Sequence, residues 1–143
     1  MAAERMAEVT WNGSLLEGQG TIEHVGSGAF GPLDVTWAAR TEESNDLTSP
    51  EELIAAAHAS CFSMALSSAL AKAGSPPEEL RTSATVTFVP GSGITKSALR
   101  VRAKIPGMDE AAFLEQAEAA KENCPVSKAL AAVPEITLDA ALA

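Results

Sequence analysis

Tyrosine is absent from this chain of 143 residues, aromatic side chains make up 4%, and ten basic residues stand against nineteen acidic ones. Cysteine is scarce as well, with two copies, Cys61 and Cys124. Each shortage excludes something. A formal net charge of −9 repels phosphate backbones and anionic lipid, and the one basic run is the alternation Arg100, Arg102, Lys104, so neither nucleic acid nor a membrane surface is an expected partner. Two cysteines point to thiol chemistry in a reducing cytosol over a disulfide framework. No N-terminal stretch combines a basic start, an apolar run and a small-residue cleavage site, and the expected location is cytoplasmic. No internal repeat, low-complexity tract or linker interrupts the chain, so a single domain over 1–143 is expected. A hydrolase site is missing too: no serine has a patterned histidine and acid, and Gly26-Ser27-Gly28 lacks the strand-loop-helix context and lysine of a phosphate loop.

What the chain does have is residues 49 to 73, SPEELIAAAHASCFSMALSSALAKA. Ser49 is placed as an N-cap, Pro50 at the first helical position, Glu51 and Glu52 in the positive first turn, and Gly74 at the stop. Between Glu52 and Lys72 there is no charge and no polar face, the pattern of a helix buried on every side. In so small a domain, a dimer that encloses the helix between subunits would accommodate this. The charge-free run Leu53 to Ala71 has the length of a membrane span, but four serines, seven alanines and His58 make it too weakly hydrophobic.

Taken in order, AEVTWN (7–12) and QGTIEH (19–24) form a hairpin. LDVTWAAR (33–40) then alternates as a strand, with Trp37 on one face and Arg40 on the other. After the central helix, TSATVTFV (82–89) is a strand with Ala84, Val86 and Phe88 on one face. SALRVRAKI (97–105) is the clearest period-two segment, with Leu99, Val101, Ala103 and Ile105 inward and the basic residues outward. DEAAFLEQAEAAKEN is an amphipathic helix capped by Asp109 that presents Phe113, Ala117 and Ala120. Pro125 opens a short helix through Ala132, which puts Cys124 at or near its start, and EITLDAAL closes the chain as a strand. The order argues an α+β fold with antiparallel sheet.

Two uses of the cysteines compete. Buried cysteine is by default a small hydrophobe. As a redox pair, one thiolate attacks a peroxide oxygen and the second thiol condenses with the resulting sulfenic acid. Cys124 at a helix start is mildly favoured as a thiolate, whereas Cys61 in mid-helix needs a cation from elsewhere, and Arg40 is the best-placed arginine to supply it. The capping box Ser49-x-x-Glu52 occupies Glu52 and leaves Glu51 to orient that arginine. Ten residues of helix separate Glu51 from Cys61 by about 15 Å, so a shared site needs Arg40 to bridge the gap or a second subunit to supply Glu51. His58, three residues before Cys61, could join both cysteines in a zinc site, but any His-x-x-Cys helix produces that pattern and a buried histidine accounts for it better.

PEELIAAAHASCFSMAL (50–66), followed by NCPVSKAL (123–130) and EITLDAAL, closely resembles the osmotically inducible protein C branch of the OsmC/Ohr superfamily. The resemblance covers nearly the whole chain. It implies an intertwined α+β homodimer with two central helices back to back, and thiol peroxidase activity on organic hydroperoxides at the subunit interface. By that resemblance Cys61 matches the peroxidatic cysteine, Cys124 the resolving cysteine, Glu51 the glutamate that orients an arginine, and Arg40 that arginine, at a strand end before the central-helix loop. It implies an external dithiol reductant, in the superfamily often a lipoylated protein; no cofactor or metal is expected. Phe62, Met64 and Leu66 are expected to give the site an apolar wall. Two other classes stay open: a binding module for a hydrophobic ligand at the dimer interface, which does not need Cys124, and a redox sensor, which forms the disulfide but turns over slowly.

Overall fold

A computed structural model describes residues 1–143, which separate into two compact units, Met1–Pro50 and Glu51–Ala143. In the first unit, β1 (Ala7–Asn12), β2 (Gln19–Val25) and β3 (Leu33–Val35) form an antiparallel sheet in that order. The Thr21 hydroxyl donates to Asp34 at 3.0 Å across the β2–β3 pair. The hairpin expected at 7–24 is present. The strand expected over 33–40 is not: it ends at Val35, and Trp37–Thr41 form a helical turn, α1. The reason lies in Thr36, whose extended backbone and side chain cap that turn by accepting from the Ala39 amide at 3.1 Å. Arg40 and Trp37 are thereby three residues apart on a helix, not opposed across a strand. The Arg40 guanidinium carbon sits 5.9 Å from the centre of the Trp37 ring, a cation–π contact where opposite faces had been expected.

The second unit is built on α2, Pro50–Lys72, which is 23 residues long. Its stop follows the sequence: Gly74 takes φ +85, the Gly74 amide donates to Ala71 at 3.0 Å and the Ser75 amide to Leu70 at 2.9 Å, closing the last carbonyls in a Schellman turn. β4 (Glu79–Val89) and β5 (Gly93–Lys104) pair antiparallel, with Ala84 opposite Leu99 and Thr82 opposite Val101. α3 (Glu110–Asn123) starts at Asp109, which accepts from the Ala112 amide at 2.8 Å, and α4 (Pro125–Ala129) is shorter than expected, ending before Ala132. β6 (Glu135–Leu142) then joins the far side of β5 in parallel, with Leu99 opposite Leu138. This sheet is therefore mixed where antiparallel pairing was expected. The segment carrying α3 and α4 is a crossover long enough to return the chain to the same end of the sheet, as a parallel neighbour requires.

One core holds this unit together: Phe62, Leu66 and Leu70 from α2, Leu99, Val101 and Ala103 from β5, and Phe113, Ala117 and Ala120 from α3, with Cys124 among them. The inward phase of β5 and the stripe of α3 are as expected. α2 departs from expectation. Its buried residues include His58, Phe62, Leu66 and Leu70, one stripe at intervals of four, while Ala57, Ser60, Met64 and Ser68 on the other side are exposed, Met64 at 72%. A single copy of the chain buries only one face of a helix whose other face carries no charge.

Candidate active site

Within the second unit, the fold brings Cys61 and Cys124 close to one another. Cys61 lies in the middle of α2, partly exposed, and Cys124 lies at the N-cap of α4, fully buried; both are free thiols. The two thiols lie near enough for each to shift the ionisation of the other. The local reason is the break at Pro125. α3 ends by donating the Cys124 amide to Ala120 at 2.9 Å, and α4 restarts at once, so the Cys124 side chain is held at the junction and tucked against α2.

The two sulfurs differ electrostatically. Burial pushes the Cys61 thiol above its ordinary range, the hydrogen bond with Cys124 adds to this, and the Val126 amide opposes it only in part. Burial would raise Cys124 as well, but the amides of Ser127 and Val126 and the hydrogen bonds from Cys61 and the Ser127 side chain outweigh it and hold this thiol below its ordinary value. Within the second unit, then, the better thiolate is Cys124. Cys61 receives no stabilising cation from its own neighbours there.

Glu51 is buried in the first turn of α2, and the rigid helix keeps it about 15 Å along the axis from Cys61. Arg40 belongs to the first unit, in α1 beside Trp37. Phe62 and Leu66 point into the core, fully buried, and only Met64 faces outward, so they do not make the open apolar wall expected of them. A groove of ≈ 570 Å³ runs past Ser63, Met64, Ser67 and Leu80, and its lining includes neither cysteine.

Sequence reading missed two residues, Ser97 and Ser127. His58 is fully buried, with Nδ1 2.7 Å from the Ser97 hydroxyl and Nε2 2.8 Å from the Ser127 hydroxyl. Both ring nitrogens are thus occupied, which removes His58 as a zinc ligand beside the cysteines; no group of three His, Cys, Asp or Glu side chains is disposed to hold a metal ion. A signal for Ser97 was present, since it occupies the inward phase of β5 shared by Leu99, Val101 and Ala103, where a hydroxyl needs a partner. Nothing local marked Ser127.

Residues 43–139 match the family model described as OsmC-like protein. The chain is 40% identical over 142 residues to the peroxiredoxin OsmC of Escherichia coli (strain K12), covering 97% of this chain and 96% of that protein. Among solved structures, it resembles the organic hydroperoxide resistance protein OhrB of Bacillus subtilis, with TM-score 0.64, 25% identity and coverage of 96% and 98%. It also resembles an organic hydroperoxide resistance protein from Elizabethkingia anophelis, with TM-score 0.71, 23% identity and full coverage of both chains.

Proposed function

This chain belongs to the OsmC-like protein family, and from that premise we propose that it is a thiol peroxidase that reduces organic hydroperoxides to alcohols through a Cys61 sulfenate and a Cys61–Cys124 disulfide. The observation that carries the reading is the pair of free thiols packed in one cluster, one reachable from solvent and the other sealed in the core. The Cys61 thiolate attacks one peroxide oxygen, the O–O bond breaks, and the alkoxide leaves as the alcohol after taking up a proton. Cys124, already favoured as a thiolate, attacks the Cys61 sulfenic acid, the S–O bond breaks, and hydroxide leaves as water once protonated. An external dithiol, such as that of a lipoylated protein, reduces the disulfide and restores both thiols.

Arg40, oriented by Glu51, supplies the positive charge that Cys61 lacks among its own neighbours. An activated cysteine nucleophile needs that charge, and burial of Cys61 makes the need acute. The working unit is a homodimer. The uncharged outward face of α2 with Met64, and the apolar residues Val9, Trp11 and Leu16 left at the surface, are what a second copy of the chain would cover, and they would furnish the apolar surroundings that Phe62 and Leu66 do not. The single domain over 1–143 and a cytoplasmic location belong to the same reading.

Intact-mass measurement of the pre-reduced protein after one equivalent of cumene hydroperoxide tests it. The expected result is a loss of two hydrogens that maps to a Cys61–Cys124 link and is absent in Cys61→Ser. An unchanged mass with full-length reduced protein would remove the proposal and bring the ligand-binding alternative forward.

A further inference from the structure

The outer face of the larger sheet concentrates positive charge that the rest of this acidic chain lacks. Arg81, Lys96, Arg100, Arg102 and Lys104 share it with three carboxylates, Glu79, Glu135 and Asp139, so half of the ten basic residues in a chain of net charge −9 leave a local positive excess there. The register crowds them. Arg81 stands directly opposite Arg102, and Ser83 opposite Arg100, so three guanidiniums hold neighbouring positions where like charges repel. The acids sit at the margins: Asp139 on β6 meets Arg102 at 3.0 Å and Arg100 at 3.7 Å, while Glu79 at the start of β4 meets Arg81 at 3.0 Å and Lys104 at 3.8 Å.

A hollow of ≈ 500 Å³ opens among Leu80, Arg81, Thr82, Ser83, Arg100 and Arg102. Arg81 makes its side-chain hydrogen bond to Glu79 through Nε, Arg100 makes no side-chain hydrogen bond, and the exposed Ser83 hydroxyl makes none either. The terminal amino groups of Arg81 and Arg100 are thus two open forks, the shape that takes a carboxylate bidentately. Arg102, neighbour to both, is held in place by donating to the Asp139 side chain at 3.0 Å and to the Asp139 carbonyl at 3.2 Å.

We propose that this face docks an extended acidic segment of a partner protein, whose carboxylates at alternate residues seat on Arg81, Arg100 and Arg102. The spacing suits such a segment. Arg100, Arg102 and Lys104 recur at every second residue of β5, about 7 Å apart, the repeat at which an extended chain presents alternate side chains to one side. Charge favours a short segment over a continuous polyanion. At physiological salt a charge is felt over about 8 Å, so a segment confined to this face meets the local excess, whereas a nucleic acid or an anionic bilayer also meets the negative remainder of the chain. The face is distinct from the outward side of α2 that the proposed dimer covers, and its use does not depend on the thiols.

Fluorescence anisotropy on the full chain tests this with two labelled peptides, one alternating glutamate and serine, the other glutamine and serine. The glutamate peptide should bind and the glutamine peptide should not, and binding should weaken as salt rises from about 50 to about 300 mM. Arg81→Gln combined with Arg100→Gln should weaken it about tenfold, the effect of losing two exposed charge pairs. Asp139→Asn removes the acid that competes for Arg100 and Arg102 and should tighten binding, a gain that misfolding would not produce. Equal binding of the two peptides, no binding of either, or a glutamate peptide indifferent to the double substitution overturns the proposal. So does inorganic phosphate that displaces the peptide at equal concentration, which would mark a site for a free oxyanion. Tighter binding to phosphatidylserine vesicles than to the peptide would also overturn it, in favour of a membrane surface.

Discussion

Cys61 and Cys124 differ by their neighbours, and the difference sets their expected behaviour. Since burial raises Cys61 and the Val126 amide offsets this only in part, its reaction with peroxide should depend on Arg40. Arg40→Ala is expected to lower kcat/KM for an organic hydroperoxide about 100-fold or more and to move the pH profile of sulfenate formation toward alkaline pH, because loss of a cation raises a thiol further. A profile that stays in place would remove Arg40 from the site. Cys124→Ser should let Cys61 reach the sulfenate once and stop there, read as a dimedone adduct in place of a disulfide. His58 carries a pH signature of its own. Its folded pKa lies below the unfolded value, so the unfolded chain binds the proton more readily, and its contribution to stability is present at neutral pH and lost as pH falls below about 6.5. Urea denaturation at pH 7.5 and 5 should show a smaller acid loss in His58→Gln than in the parent; equal losses would mean that other groups carry the acid sensitivity.

At the level of the element, α2 has two different faces, and substitutions on them should separate. Leu66 is fully buried among Leu99, Val101 and Phe113, and Leu66→Ala is expected to cost about 2–5 kcal/mol in chemical denaturation. Ser63 donates to Thr82 at 2.7 Å from the flank of the same helix, a cross-link to β4 that complements the His58–Ser97 contact with β5. The caps are also separable from the core. Asp109→Ala removes the side chain that accepts from the Ala112 amide and should cost about 1 kcal/mol without touching either cysteine, so stability would fall while disulfide formation persists.

For the whole molecule, the outward face of α2 is the decisive surface. Met64 is 72% exposed on a helix side with no charge between Glu52 and Lys72, and in a homodimer that face would be covered. Met64→Asp is expected to leave the fold intact by circular dichroism and to shift the protein from dimer to monomer in light scattering, with loss of peroxidase turnover if the partner completes the site. A Met64→Asp protein that remains dimeric would place the interface elsewhere. The acidic balance acts at this scale too: five cations on the outer face of the larger sheet, Arg81, Lys96, Arg100, Arg102 and Lys104, are each engaged by Glu79, Glu135 or Asp139, and these exposed pairs add little to stability.

Local signals were enough for most elements. The span of α2 with its glycine stop, the inward phase of β5, the Asp109 cap with its Phe113 stripe and the Pro125 restart beside Cys124 can all be read from the chain, because propensity, period and capping act over a few residues. The two cysteines and their neighbours also named the family. Where the sequence misled, distant or competing contacts decided. Alternation from Leu33 to Arg40 favoured a strand, but the Thr36 cap won and stacked Arg40 on Trp37. A closing strand after two helices could pair either way, and only the crossover of α3 and α4 set β6 parallel to β5. The pairing of Cys61 with Cys124, and the meeting of His58 with Ser97 and Ser127, join residues 63, 39 and 69 positions apart. No periodicity spans such separations; they exist because one core draws α2, β5 and α4 together, and the buried polar groups must then find one another.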